Sequence, residues 1–182
     1  VAALRYFRLM VDERVKHRVE PAALSPLQVE DILTEAEGQQ QQDEPLFLAV
    51  HTDPRTVYPD FLGFPLPLVS DRMKVLLEKY MPELKWKAAI LTDFQQARQE
   101  VYWVLRPPMV DCLSAQTEWY PNGTLKRLIL RQGEIEPPIF RIEGLIEPHI
   151  YIHLAVAESL LRRSFTGIRV QRVEIEALRR MG

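Results

Sequence analysis

The residues of this chain that could carry out chemistry are few and scattered. Cys112 follows Asp111, and its thiol becomes a nucleophile only if His51, His149 or His153 reaches it, because a thiol needs a basic or cationic neighbour to lose its proton. A lone cysteine in an apolar strand is more commonly a core residue. His51 and Asp53 stand two apart near a strand end, and His149 and His153 share one strand face. These are nominal metal ligands, but they lack the tight spacing of a metal motif. Pro54 and Pro148 place His51 and His149 beside bends, where histidines commonly face water. Glu134 and Glu136 read as a solvated strand face rather than an acid and base pair. The seven glycines form neither G-x-G-x-x-G nor a Walker loop, and no G-x-S-x-G elbow surrounds Ser70 or Ser114. Trp86, Trp103 and Trp119 fall on candidate strands and read as packing residues rather than a base-stacking platform. No catalytic residue, cofactor or metal is therefore expected.

Composition narrows the partners. The net charge of −2 supplies no general attraction for nucleic acid. Arg162, Arg163, Arg169, Arg172, Arg179 and Arg180 are interleaved with Glu158, Glu174 and Glu176, which reads as a mixed-charge, solvated surface. A single cysteine excludes an internal disulfide, and a reducing, cytoplasmic compartment is expected. The longest apolar runs are about five residues, against the roughly 20 of a membrane-spanning helix, so no membrane association is expected. The opening VAALRYFRLMVDERVKH carries charges throughout, unlike a secretory signal, and its first valine implies removal of an initiator methionine or a tag. At 182 residues, 47% of them apolar, the chain is long enough for one well-buried core. A single domain over residues 1–182 is expected, with 1–45 a less regular N-terminal extension.

The elements that must position these residues follow from periodicity. Leu4 to Val11 alternates as a strand, expected to be an edge or early strand. Ser25 offers an N-cap and Pro26 a first helical position for a helix over Leu27 to Glu37. Gly38 and the four glutamines after it read as an exposed loop. Leu46 to Val50 reads as a short strand. The segment HTDPRTVYPDFLGFPLP, with four prolines, reads as an ordered loop whose aromatics plug a core. Ser70 caps a helix in which Met73, Leu76, Leu77 and Tyr80 share a face, and Lys85 to Leu91 and Val101 to Leu105 resume as strands. Asn122-Gly123 between Thr117 to Tyr120 and Thr124 to Arg131 is a hairpin signal. Ile150, Ile152 and Leu154 alternate as a strand, and Val156, Ala157, Leu160 and Leu161 fall on one helical face. Gly167 is expected to stop that helix before a strand at Ile168, Val170 and Arg172. Ile175 to Gly182 reads as a short terminal helix. Leu68 to Leu91 and Tyr151 to Glu174 share a strand, helix, strand order and form a weak internal echo. The sum is an α+β fold with a largely antiparallel, hairpin-rich sheet and two or three packed helices.

The stretch IFRIEGLIEPHIYIHLAVAESLLRRSFTGIRVQRVE, residues 139–174, resembles the C-terminal signature of the bacterial immunity-protein family eleven, formerly a domain of unknown function. YWVLRPPMVDCLS and DFLGFPLPLVSDRMKVLLEKY are similar to its middle segments, so the resemblance covers residues 60–174. It implies a cytoplasmic immunity protein that neutralises a cognate polymorphic toxin by stoichiometric binding and needs no catalytic residues. Such binding relies on aromatic anchors on a rigid scaffold. The candidates are Trp119, Tyr120 and Asn122 at the hairpin tip, Tyr58 and Asp60 in the proline-rich loop, and Glu118 toward a basic toxin. The alternatives are a structural or interaction module of a larger bacterial or phage assembly, and a small enzyme using Cys112 or a histidine metal site.

Overall fold

The computed structural model of the chain describes residues 5–34, 44–133 and 135–177. In chain order these form β1 (Tyr6–Val11), α1 (Pro26–Thr34), β2 (Leu46–Ala49), β3 (Phe61–Leu62), β4 (Leu68–Val69), α2 (Asp71–Tyr80), β5 (Lys87–Asp93), β6 (Arg98–Val104), β7 (Met109–Val110), β8 (Glu118–Trp119), β9 (Leu125–Arg127), β10 (Ile129–Leu130), β11 (Ile139–Ile142), β12 (Ile150–His153), α3 (Leu154–Arg162), β13 (Ile168–Arg172) and β14 (Glu174–Ile175). The fold is α+β and rich in sheet. Most pairings are antiparallel, with parallel exceptions at β2 with β5, β7 with β11 and β10 with β14. The glutamine tract, Leu4, Glu37, Glu134, Arg179 and Arg180 lie outside the described residues, as does most of the expected terminal helix. Its first residue, Ile175, is in a strand instead.

Two five-stranded sheets dominate, ordered β2-β5-β6-β4-β3 and β13-β1-β12-β11-β7. The internal echo has a topological counterpart. β4 and β5 are joined through α2 and are separated by β6, which is antiparallel to both. β12 and β13 are joined through α3 and are separated by β1, again antiparallel to both. The intervening strand thus follows its unit directly in one sheet and comes from the start of the chain in the other. β1 is therefore interior, so of the two expectations for it, an edge or an early strand, the edge one is corrected. Its alternation serves two buried faces: Leu9 packs with Ile139, Ile150 and Val156 on one side, and Tyr6 with Phe140, Tyr151 and Val173 on the other.

Both helical crossovers pack into the same core, where Met73 and Leu77 of α2 meet Val156 and Leu160 of α3. The Tyr80 hydroxyl seals this contact by donating to the Ala155 carbonyl at 3.2 Å. A second core, with Val29 and Leu33 of α1, covers the opposite side of the first sheet against Leu48, Leu91 and Tyr102. α1 carries the expected Ser25 N-cap, and Gln28 extends it to a capping box in which Ser25 Oγ accepts from Gln28 N while Gln28 Oε1 accepts from Ser25 N. Arg141 of β11 is buried and reaches Glu30 of α1 at 3.1 Å, tying that helix to the second sheet.

Four local expectations are corrected. Phe61 and Leu62 form a strand, because their backbones pair with Val69 and Leu68 and their side chains enter different cores. α3 begins at Leu154 rather than after it, since His153 Nδ1 accepts from Ala155 N and turns the chain one residue early. It leaves Leu161 57% exposed, off the buried face of Val156, Ala157 and Leu160. The helix also stops at Arg162, before Gly167, and Ser164 takes the first left-handed position. Gly167 is required for another reason. At φ +77° it passes so close to Pro59 that an added Cβ would stand 2.5 Å from the proline Cβ.

Candidate functional site

The Asn-Gly signal builds a hairpin as expected, with β8 antiparallel to β9 and an irregular register at Glu118 and Trp119. Gly123 takes φ +84° at the turn. Tyr120 closes it at both backbone groups, its N–H donating to the Thr124 carbonyl and its carbonyl accepting from Gly123 N. Asn122 Oδ1 accepts from the backbone and hydroxyl of Thr124 at 3.1 and 2.6 Å, so this side chain shapes the turn. A two-stranded hairpin alone is marginal in water. Here Arg127 braces it, with one guanidinium spanning Glu118 at 3.2 Å and both carboxylate oxygens of Glu174 in β14. These bonds raise the Arg127 pKa and lower that of Glu174. The result is a fixed platform from which Trp119 and Tyr120 project, 44% and 50% exposed. Lys126 lies 5.9 Å from the Tyr120 ring centroid.

The structure places Glu118, Trp119, Tyr120 and Asn122 together on this hairpin and puts Tyr58 and Asp60 in a different setting. Asp60 is 9% exposed and forms a seam between the two sheets. Its N–H donates to the Thr166 carbonyl, and its own carbonyl accepts from Ser70 N. Its carboxylate accepts from Ser70 Oγ at 2.6 Å, Arg72 at 2.8 Å, and Thr166 N and Oγ1 at 2.7 and 3.1 Å. Burial pushes the Asp60 pKa up, but the bonds from Arg72, Ser70 and Thr166 outweigh it and hold the carboxyl below its ordinary value. Such a carboxylate is already satisfied and has little to offer a partner. Tyr58 packs against the α1-side core beneath Arg98, whose guanidinium carbon is 4.4 Å from its ring centroid. Its hydroxyl is buried with no hydrogen-bond partner among the described residues.

The other chemical candidates separate as well. Cys112 is buried beside Leu130 and Ile142, and burial pushes its thiol up to about 11, away from thiolate chemistry at neutral pH. His153 caps α3, His51 is exposed, and His149 accepts from Arg8 through Nε2 at 2.8 Å. Among the described residues no group of three His, Cys, Asp or Glu side chains is arranged to hold a metal ion.

One surface escaped the sequence reading. Phe47, Ile90 and Val101 stand abreast on β2, β5 and β6, and Phe47 and Val101 are largely exposed. The strands that carry them have apolar residues on both faces. Alternation therefore gave no polar side to mark, and only the cross-strand register brings the three together.

Among the described residues no helix is long and apolar enough to cross a membrane. No protein-family model matches the chain, and no curated protein matches it.

Proposed function

We propose that this protein is an immunity protein that neutralises a cognate polymorphic toxin by stoichiometric binding, with the β8–β9 hairpin as its principal contact. The observation that carries this reading is the braced hairpin itself, with two half-exposed aromatics on a turn fixed by Asn122 and Arg127. Tyrosine and tryptophan supply large contact areas at low entropic cost when the backbone beneath them is already ordered. The resemblance over residues 60–174 supports the toxin as the partner class. The decisive experiment is a tagged pull-down from host lysate, with the bound protein identified and its ratio measured. The reading expects one partner in fixed ratio that kills cells when expressed alone and spares them when this chain is present. A partner whose expression is harmless sinks it.

The row of Phe47, Ile90 and Val101 favours a second reading, an interaction module that assembles through this sheet face. Concentration-dependent self-association that disappears in Val101→Glu supports it; a monomer at all concentrations removes it.

A further inference from the structure

A cleft of about 420 Å³ opens beneath the hairpin, between β9 and the face of the second sheet. Its floor is three residues abreast on adjacent strands: Gln171 of β13, Arg8 of β1 and Tyr151 of β12. Arg8 is part-buried and, among the described residues, forms no ion pair. Its one hydrogen-bond partner is the His149 ring, and its Nε is buried without any partner. His149 cannot compensate the charge. Burial first, and the adjacent guanidinium second, hold its pKa down at about 4, so at neutral pH the ring is an uncharged acceptor. The nearby acids do not serve either. Glu147 lies 3.2 Å from His149 Nε2 with its side chain 70% in water, and Glu174 is taken by Arg127. Tyr151 is 1% exposed and lines the cleft next to Arg8 in the strand register.

A part-buried guanidinium without a counter-charge, its Nε buried and unpartnered, is costly unless something completes it. We propose that this cleft is a carboxylate-binding site, in which the Arg8 guanidinium and the Tyr151 hydroxyl hold one carboxylate group and Leu125 and Leu128 contact the apolar body that carries it. A planar carboxylate suits a guanidinium fork. Lys126 and Arg172 also line the cleft and are opposed by Glu147 and Glu174, so with His149 neutral the lining carries a formal balance of one positive charge, which matches a single carboxylate better than a dianion such as phosphate. The site stands apart from whatever the hairpin tip binds, since neither Trp119 nor Tyr120 lines it.

The test follows the His149 ring by nitrogen-edited NMR in the whole protein at pH 7 and constant ionic strength, with butyrate, acetate and inorganic phosphate as probes. The expected result is a saturable shift with butyrate, half-saturated at lower concentration than with acetate and much lower than with phosphate. Tyr151→Phe, which keeps the ring in the core, raises half-saturation roughly three- to tenfold. Arg8→Met abolishes the shift; if that variant does not fold, the Tyr151→Phe result decides. Shifts that never saturate, that are the same in Tyr151→Phe, or that saturate first with phosphate overturn the proposal.

Discussion

The Asp60 seam and the β8–β9 hairpin both contain residue types that suit a binding surface, yet the structure uses them in opposite ways. At Asp60 every carboxylate bond runs inward, to Ser70, Arg72 and Thr166. On the hairpin the polar groups brace the turn and the aromatics are left facing water. An acidic or aromatic residue in a loop is available to a partner only to the extent that its own fold has not already satisfied it.

The contrast can be broken by substitution. Asp60→Ala has the largest expected effect, about 3 kcal/mol, from losing hydrogen bonds to an ionised acceptor at about 1 kcal/mol or more each. Half-exposed Arg72 adds little to that figure. Urea unfolding measures it, and a loss below about 1 kcal/mol would mean that the seam does not join the sheets. The seam should also respond to acid. A carboxyl whose folded pKa is depressed contributes stability that is full above its unfolded value of about 3.9 and is lost as pH falls through the folded pKa. Asp60→Asn should flatten this acid slope. It should leave the share of Asp93, which Thr52 first among its partners holds down at about 2.

Next in size is Gly167→Ala. Placing a side chain at positive φ costs about 1–2 kcal/mol, and the contact with Pro59 adds to it. A thermal melt should show a clear drop, whereas Gly123→Ala at the hairpin, where nothing lies within 4 Å, should show only the conformational part. The smallest expected stability change belongs to Trp119→Ala, within about 0.5 kcal/mol because the side chain is surface-exposed. The same variant should lower affinity for the captured partner at least tenfold, the cost of a central aromatic anchor. If Trp119→Ala destabilises as much as Gly167→Ala while binding is unchanged, the hairpin is structural and the contrast fails.

Local signals in the chain were legible. Ser70 caps α2 through Met73 N as its position implied, and Asn122-Gly123 builds its turn. Both depend on residues within a few positions of one another, where propensity and hydrogen-bonding reach coincide. Signals that depend on distant partners were not legible. Nothing near β1 says that it will be flanked on both sides, and nothing near Asp60 announces Thr166, 106 positions away. The candidate site was half legible for the same reason. The hairpin residues are neighbours in sequence, whereas Arg8, Tyr151 and Gln171 become neighbours only through sheet register.

The interior place of β1 has a consequence for synthesis. The strand–helix–strand unit around α2 is followed at once by β6, the strand that fills it, so it can close while the rest of the chain is still being made. β1 leaves the ribosome first among the described strands and must remain unpaired until β12 and β13 emerge; Arg8 and its partner His149 are 141 positions apart. Its alternating apolar residues are exposed for that interval, when a nascent chain depends most on chaperones. The two halves thus share a topology but not a timetable, and the half that carries the cleft is completed last.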